Sequence, residues 1–501
     1  MLFVPNIIWS GNKPKDYEKY VGNENKALLF FERAGEVLTS IFALIFADFN
    51  FRTFTIWSLW LFASIIFMIL YELYWIRYFR SGKTMADMYS GFAGFPVAGA
   101  SLPCLAFFCL GIYGTNIFLI ISSILLSIGH IGIHLMHRNE AVKKTKKKPG
   151  YRILGIAVSV PVIALLLLTI VVIAGRNINW FKSFIDTSIG INEDAYIEIG
   201  GQEQYISIRG KDINNPVIVY LHGGPAGPDS AIMPVFTDTL ITNYTVVCWD
   251  QRGCGRTYFR NAKTDPENKT VSFDQALKDT DELVDYVRER FGKEQVILMC
   301  HSYGTIVGTR YIQMHSDKVS AYVGIGQFVN AKRSDDIAYQ DALDKAKAQG
   351  EDTSEIENAY KEYLAGNSLR EYLALWNVTS KYHQASNSAN TLMLALFSPY
   401  CGVDDVRWVL IQSDLDKYYQ LEKSLMDTTY AFDVYDYPLE YDVPMCFISG
   451  NMDYVCNASL TKTFCDDITA PSKAYFAITG DGHTPQYDTP DEFRSLLIHF
   501  L

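Results

Sequence analysis

The apolar residues of this 501-residue chain are concentrated in long uninterrupted segments of its N-terminal third. A helix needs about 20 apolar residues to cross the hydrocarbon core of a bilayer, because its backbone polar groups must be satisfied within the segment. Four segments meet this length easily, at 54–75, 94–113, 116–136 and 153–174. A fifth, at 34–51, has charged residues near its ends but none from Val37 to Ala47. The sequence therefore predicts an all-α transmembrane bundle of about five helices within residues 1–180.

Basic residues in the connections predict how this bundle is oriented. Arg77, Arg80 and Lys83 follow the segment at 54–75, and a cluster from Lys143 to Lys148 follows the segment at 116–136. Short connections rich in Lys and Arg face the cytoplasm. The sequence therefore predicts a multi-pass protein of the cell membrane, with the lipid bilayer as partner and the C-terminal domain on the outer face. That placement also holds if the weak segment at 34–51 is only interfacial. The net charge of −11 argues against a nucleic-acid partner.

Ionisable residues within the apolar segments raise the question of a second site. Glu72 lies near a predicted helix end, and His130 and His134 are spaced i, i+4 on one helix face. Such groups mark transport or metal sites, or form hydrogen bonds within a bundle. No carboxylate lies near the histidine pair in sequence, so no metal site is predicted. Among the nine cysteines, only Cys456 and Cys465 are a candidate disulfide pair.

From about Ile191 onwards, short apolar runs alternate with turns and helix-like stretches. Ala195–Ile199 and Tyr205–Ile208 alternate apolar and polar residues, which predicts an antiparallel hairpin. The later runs are Pro216–Leu221, Thr245–Trp249, Gln295–Met299, Ala321–Ile325, Met445–Ser449 and Lys473–Ile478. Buried strands alternating with helices predict a mostly parallel sheet covered on both faces. The fold class is thus an α/β domain over 190–501, with a helix-rich insertion at 330–437 predicted to form a cap.

Ser302 is the predicted nucleophile of this domain. It lies between strand Gln295–Met299 and the helix-like Thr305–His315, with Gly304 two positions later. A serine at such a turn is the nucleophile-elbow arrangement, in which the hydroxyl stands above the sheet. The position two residues before it, usually glycine, is Cys300, which is small enough to fit.

Two glycine-rich loops follow neighbouring strands. His222-Gly223-Gly224-Pro225-Ala226-Gly227 allows the backbone to approach a ligand and direct N–H groups at a developing negative charge. His222 is predicted to brace this loop. In the second loop, Asp250-Gln251-Arg252-Gly253, an ion pair between Asp250 and Arg252 is expected to fix the backbone.

Asp453 and His483 are predicted to complete a catalytic triad. A triad built on a nucleophile elbow has the chain order serine, acid, histidine, with the acid after a late strand. Asp453 follows Met445–Ser449, and His483 follows Lys473–Ile478. Asp481 is a competing acid, but it is only two residues from His483 and would orient the ring poorly.

The segments HGGPAG, DQRGCGRT, CHSYGT, GNMDYVCNAS and GDGH resemble the proline iminopeptidase (prolyl aminopeptidase) branch of the α/β-hydrolases over roughly 190–501. The resemblance implies the Ser302, Asp453, His483 triad and an oxyanion hole made by Gly223, Gly224 and the Tyr303 N–H. In that branch, cap glutamates hold the substrate's amino terminus. Glu357, Glu362, Glu371 and Glu422 are candidates here, and none is assigned.

The expected function is release of N-terminal residues from peptides through an acyl-enzyme intermediate, with no metal or organic cofactor. The substrate is a peptide or a small acyl compound. One alternative is an esterase or lipase acting on small or lipid esters with the same triad. Another, from a different class, is a non-catalytic membrane sensor or transporter that carries a hydrolase-like domain.

Overall fold

The structure is a computed structural model that describes residues 3–19, 25–45, 49, 56–141, 171–366 and 369–501. The chain divides into two compact units, Met1–Gly175 and Arg176–Leu501. The lysine-rich connection at 143–148 and most of the segment predicted to span at 153–174 lie outside the described residues.

The first unit is mainly helical within its described residues. Its helices are α1 (Phe3–Ser10), α2 (Lys26–Ile45), α3 (Leu59–Phe79), α4 (Met85–Met88), α5 (Ala98–Tyr113) and α6 (Ile117–Ala141), with 3-10 turns at Tyr17–Lys19 and Ile56–Ser58. Residues 171–182 form a further helix, α7, which begins in the first unit and ends in the second. Two of the described helices, α3 and α6, are long and apolar enough to cross a membrane.

The segment predicted to span at 94–113 is shorter than expected. A bridge between Phe92 and Phe95, followed by Val97 in a left-handed conformation (φ 43°), delays the start of α5 until Ala98. Its 16 residues rise about 24 Å, which is less than the roughly 30 Å of a hydrocarbon core. The predicted weak segment at 34–51 overlaps α2, whose first half carries charged residues.

The second unit is built on an eight-stranded sheet with the order β1-β2-β4-β3-β5-β6-β7-β8. The strands are β1 (Ile191–Ile199), β2 (Gln202–Gly210), β3 (Val217–Leu221), β4 (Thr245–Trp249), β5 (Val296–His301), β6 (Val319–Ile325), β7 (Met445–Gly450) and β8 (Lys473–Ile478). β1 and β2 form the predicted hairpin, and β2 pairs antiparallel with β4. All remaining neighbours pair in parallel, so the predicted mostly parallel sheet is confirmed.

Helices cover both faces of this sheet because alternate strand residues point to opposite sides. On β3, Val219 and Leu221 pack in one apolar cluster, whereas Ile218 and Tyr220 pack in another. The covering helices are α8 (Pro234–Leu240), α9 (Gly255–Asn261), α10 (Phe273–Phe291), α11 (Tyr303–Met314), α18 (Ala458–Asp467), α19 (Pro485–Asp488) and α20 (Pro490–Phe500), with a 3-10 turn at Ser316–Lys318. The two-sided burial explains why the strands read as continuous apolar runs.

A run of helices separates β6 from β7. It comprises α12 (Ala331–Gln349), α13 (Ser354–Ala365), α14 (Leu369–Thr379), α15 (Thr391–Phe397), α16 (Val403–Ser413) and α17 (Leu415–Ala431), with 3-10 turns at Ser380–Tyr382 and Val434–Asp436. Ala346, Ile356, Leu375 and Val378 form a small core of their own. We call these helices the cap.

The nine cysteines all lie among the described residues and carry free thiols. Cys456 and Cys465, the candidate disulfide pair, are therefore not bonded. Burial raises the pKa of the Cys456 thiol well above its usual value, so it is neutral and packs as a small apolar group.

Candidate active site

Ser302 occupies a strained turn between β5 and α11. Its backbone has φ 53° and ψ −121°, a region that L-residues rarely adopt. The turn is compact because Gly304 approaches β3 closely. A Cβ at Gly304 would lie 2.4 Å from the Leu221 carbonyl oxygen. The side chain of Ser302 is thereby raised beyond the carboxyl ends of the strands.

Cys300 fits the elbow because the residue facing it has no side chain. A Cβ at Gly308 would lie 2.4 Å from Cys300 Sγ. Gly308 lies on α11 one turn after the elbow, so it supplies the space that glycine at position 300 would otherwise give. The unusual elbow sequence is thus matched by a compensating glycine.

His483 connects Ser302 to Asp453. Its Nε2 is 2.9 Å from Ser302 Oγ, and its Nδ1 is 2.9 Å from Asp453 Oδ2. The second carboxylate oxygen, Asp453 Oδ1, accepts from the N–H groups of Val455 (3.0 Å) and Cys456 (2.9 Å). The three side chains come from three separate strand ends and form one continuous hydrogen-bonded path.

The charge of Asp453 controls the basicity of His483. Burial alone would lower the pKa of His483, but the charge and hydrogen bond of Asp453 outweigh it and raise the pKa above the usual 6.5. The Asp453 side chain is fully buried, and that of His483 is 22% exposed. The imidazole therefore accepts a proton readily while remaining accessible from the cavity.

Asp481, the competing acid, is engaged elsewhere. Its Oδ1 accepts from Asn387 Nδ2 at 2.8 Å, and its Oδ2 accepts from the Thr489 hydroxyl. Both oxygens therefore serve the loop that carries His483, without a hydrogen bond to the His483 ring.

His301 was not singled out from the sequence. Its Nε2 lies 3.0 Å from the His483 carbonyl oxygen, so this nitrogen donates and fixes the loop that carries His483. Burial, then the neighbouring charge of His483, lowers the pKa of His301 to about 3. It is therefore neutral. Its position immediately before Ser302 was the available signal.

The glycine-rich loop after β3 passes against Ser302. A Cβ at Gly223 would lie 2.9 Å from Ser302 Cβ, so only glycine permits this approach. Gly224 is left-handed (φ 124°) and precedes a cis bond to Pro225. Tyr303 begins α11, where backbone N–H groups have no intrahelical partner. The backbone of Gly223 and Gly224 and the N–H of Tyr303 thus lie around the serine.

His222 braces this loop, as predicted. Its Nε2 accepts from the Gln251 N–H (3.2 Å), and the Gln251 side chain donates to the His222 carbonyl oxygen (3.1 Å). Burial lowers the pKa of His222 to about 4, which keeps the ring neutral. The brace ties the loop after β3 to the loop after β4.

The prediction of an ion pair between Asp250 and Arg252 is wrong, because the two side chains bind other partners. Arg252 donates to both oxygens of Asp279 on α10, at 2.6 and 2.9 Å. Asp250 accepts from Ser230 Oγ and from the Arg256 N–H. Residues two apart in a loop point away from each other here, and the planar guanidinium finds a better bidentate partner on a helix.

The cap also holds the glycine-rich loop, a contact that the sequence did not reveal. Trp408 Nε1 donates to the Ala226 carbonyl oxygen (3.0 Å), and Gln412 donates to the same oxygen (3.2 Å). The Tyr418 hydroxyl donates to the Pro225 carbonyl oxygen. The side chain of Trp408 is 1% exposed.

Two cavities adjoin the triad, and the cap lines both. One of about 250 Å³ reaches His483, and one of about 190 Å³ reaches Ser302. Asp335, Tyr372 and Val455 line both of them. Burial raises the pKa of Asp335 to about 6, and its Oδ2 accepts from the Tyr363 hydroxyl at 2.7 Å. Asp335 brings an ionisable acid to the cavity wall.

The four candidate cap glutamates lie elsewhere. Glu357 and Glu362 are exposed, and Glu371 is half-buried. Glu422 is fully buried and accepts from Asn268 at 2.8 Å, and burial raises its pKa to about 8. None of the four lines either cavity next to the triad.

Comparison with known proteins places the second unit among characterised folds. The family model for the alpha/beta hydrolase fold matches residues 216–490, more than half of the chain. "Probable aminopeptidase YbaC" of Bacillus subtilis (strain 168) is 26% identical over 309 residues, which cover 60% of this chain and 93% of that protein. The proline iminopeptidase of Saccharolobus solfataricus is 31% identical over 122 residues, 24% of this chain and 36% of that protein. The crystal structure of a Mycobacterium smegmatis proline iminopeptidase aligns at 18% identity over 62% of this chain and 97% of that one, with a TM-score of 0.45.

Proposed function

The chain belongs to the alpha/beta hydrolase fold family, and on that basis we propose that it is a membrane-anchored serine aminopeptidase of the proline iminopeptidase type. The observation that carries the proposal is the hydrogen-bonded path from Ser302 Oγ through His483 to Asp453, at 2.9 Å for each step. The aminopeptidase and iminopeptidase names of its relatives favour a peptide substrate.

The proposed reaction is acyl transfer in two steps. Ser302 Oγ attacks the scissile carbonyl carbon while His483 Nε2 takes the hydroxyl proton, and Asp453 stabilises the imidazolium. The backbone N–H groups around Gly223 and Tyr303 stabilise the oxyanion. His483 then gives the proton to the leaving amine, whose C–N bond breaks. Water, activated by the same imidazole, releases the acyl group and restores Ser302.

The position and charge of Asp335 favour a substrate with a free amino terminus. The α-amino group of a peptide is cationic near neutral pH, and a carboxylate at the cavity wall complements it. Asp335 lines both cavities and has a pKa near 6, so it is mostly ionised at pH 7. It would take the role that the family resemblance suggested for a cap glutamate. A neutral ester gains nothing from this charge.

Exposed apolar side chains support the membrane anchor. Only 22% of the apolar 18-residue stretch of α3 is buried, whereas a core helix of a soluble protein would be covered by its neighbours. Ile66 and Ile76 of α3, and Phe118 of α6, are each about half exposed. Such a surface is stable against lipid chains and costly in water. We propose the multi-pass arrangement of about five spans, with the hydrolase unit on the outer face of the cell membrane. The shorter α5 would cross where the bilayer thins locally around it.

A substrate panel on the full chain in detergent tests the activity. We expect turnover of a prolyl anilide, little turnover of an N-acylated prolyl anilide, and labelling of Ser302 by a fluorophosphonate. Ser302→Ala should abolish both turnover and labelling. Ser495→Ala is the matched control, because Ser495 is exposed on α20 and bonds only its own helix.

The same panel separates the rival functions. Turnover of esters without turnover of aminoacyl anilides would replace the aminopeptidase with an esterase or lipase. A folded wild-type chain that the fluorophosphonate never labels would indicate a non-catalytic sensor or transporter. Protease digestion of intact cells tests the orientation, since a protected hydrolase unit would overturn its outward placement.

A further inference from the structure

Helices α2 and α6 of the first unit cross at very short range because glycines lie at the crossing. A Cβ at Gly129 would lie 2.1 Å from the backbone nitrogen of Glu32. A Cβ at Gly35 would lie 2.4 Å from the Leu126 backbone. Any larger residue at either position would force the helices apart. This approach brings the side chains that flank the two glycines into one space.

Four side chains with metal-binding atoms flank this crossing. Glu32 and Glu36 are spaced i, i+4 on α2, and His130 and His134 are spaced i, i+4 on α6. Residues four apart lie on the same helix face. The ligand atoms of Glu32, Glu36 and His130 lie within 4.8 Å of one another. The carboxylates that the sequence did not place beside the histidines are supplied by another helix.

His134 is buried beside these side chains, and one of its ring nitrogens has no partner among the described residues. Its side chain is 8% exposed, and its Nδ1 has no hydrogen-bond partner among the described residues. Its ring centroid lies 4.5 Å from that of His130. An unpartnered buried nitrogen is costly, so it points to a missing ligand. All four side chains line one cavity of about 420 Å³.

We propose that Glu32, Glu36, His130 and His134 bind one divalent transition-metal ion, with zinc as the best match. Two imidazole nitrogens and two carboxylate oxygens form a mixed set that suits tetrahedral zinc at about 2.0–2.2 Å. A pair of histidines four apart on one helix is a recurrent zinc-binding arrangement. Side-chain rotations can bring the ligand atoms of Glu32, Glu36 and His130, now within 4.8 Å of one another, to those bond lengths. His134 would join them from the next turn of α6, where its ring lies against that of His130.

Charge balance favours the same ion. Two carboxylates and one divalent cation sum to zero, which lowers the cost of placing them in an apolar helical unit. Without a cation, Glu32 Oε1 lies 2.5 Å from His130 Nδ1, and this contact must open for both groups to bind one ion, while the two glutamates repel each other. Glu36 also pairs with Arg33 at 3.2 Å, but these side chains are 44% and 71% exposed. Exposed pairs contribute roughly 0–1 kcal/mol, so a metal ion displaces Arg33 readily.

Metal titration of the full chain tests the site. The protein is purified in detergent without a polyhistidine tag, stripped with a chelator, and titrated with ZnCl₂ in a calorimeter. We expect one zinc ion per chain. Glu32→Gln and His134→Ala should each weaken binding by more than about 100-fold, because losing a direct ligand costs more than losing its support. Glu140→Gln is the control, since this glutamate lies on the same helix outside the cavity and should leave the affinity unchanged.

A ligand exchange distinguishes coordination from a folding defect. His134→Cys keeps a ligand at the same place, so Co²⁺ bound to it should show a thiolate charge-transfer band that wild type lacks. No stoichiometric zinc in wild type would overturn the proposal. So would equal zinc affinities of wild type and His134→Ala, or Co²⁺ bound to His134→Cys without the thiolate band.

Discussion

The two walls of the catalytic cavity are built from different structures. On the sheet wall, Ser302, Asp453 and His483 each follow a strand, and every polar atom of the path has a partner on the sheet or its loops. On the cap wall, Asp335 comes from a helix that packs on a small core within the cap. Trp408 lies behind that wall and packs against Ala226 and Cys254 of the two glycine-rich loops. The sheet wall thus fixes the reacting groups, and the cap wall carries the groups that select and enclose a substrate.

This difference separates chemistry from specificity. Parallel strands in register hold their carboxyl ends in one row, so a side chain placed there has little freedom. A cap helix can shift or change residues without disturbing that row. Changes on the sheet wall should therefore reduce kcat for every substrate, and changes of the cap residues that line the cavities should act on KM or on one class of substrate.

Asp453→Asn should give the largest loss on the sheet wall. Asparagine can still accept from the Val455 and Cys456 N–H groups, but its amide no longer stabilises the His483 imidazolium or selects the correct tautomer. We expect kcat for a prolyl anilide to fall about 10⁴-fold. Asp481→Asn, the neighbouring buried acid, should fall less than tenfold. Equal losses in the two variants would reverse the assignment of the acid.

Asp335→Asn should give the largest loss on the cap wall. It removes the charge that we propose binds a substrate amino group, while the new amide can still accept the hydrogen bond from Tyr363. We expect kcat/KM for a free aminoacyl anilide to fall about 10- to 100-fold, because hydrogen bonds to charged groups are worth ~1.5–3 kcal/mol. Turnover of a neutral ester should not change. A parallel loss for both substrates would remove Asp335 from amine recognition.

The pH profile of kcat/KM should separate the two walls in a single protein. His483 must be neutral to act as a base, and its pKa is raised above 6.5, so activity on every substrate falls as pH drops through that raised value. Asp335 must be ionised, and its pKa is about 6, so a second fall near pH 6 is expected for free-amine substrates only. Below both pKa values, protonation of each group lowers kcat/KM tenfold per pH unit. Asp335→Asn should lose the second fall and keep the first.

Gly308→Ala should break the elbow without touching a catalytic atom. The new Cβ would lie 2.4 Å from Cys300 Sγ, and such overpacking costs about 1–3 kcal/mol of unfolding free energy. Cys300→Gly removes this contact but leaves Tyr322 Cε2 2.9 Å from the new Cβ, so the double variant should recover part of the loss. Urea unfolding of the three variants measures the coupling. Additive losses would mean that the two positions do not compensate each other.

The sheet wall could be predicted from the sequence because each of its parts has a local signature. Ser302 lies between a strand and a helix, and Gly223 follows a short apolar run, so spacing alone brings them to one edge. Asp335 has no such signature, since a helix-borne carboxylate is usually solvated and only the cap packing turns it inward. The pairing of Glu32 with His130 depends on a helix crossing between residues 98 positions apart. Local patterns do not encode such a crossing.

Trp408→Phe should give the smallest effect, and it tests whether a cap residue that holds the glycine-rich loop, without lining either cavity, affects the chemistry. The indole N–H donates to the Ala226 carbonyl oxygen, in the loop that also carries Gly223. Phenylalanine keeps most of the buried ring but loses this bond, which is worth about 0.5–1.5 kcal/mol. Gln412 still donates to the same oxygen, so the loop should loosen without leaving its place. We therefore expect kcat to fall by at most about tenfold with KM unchanged, measured against Trp180→Phe, an exposed tryptophan of the same unit. A change in KM alone would assign Trp408 to substrate selection, and the cap would then have no effect on the chemical step through this residue.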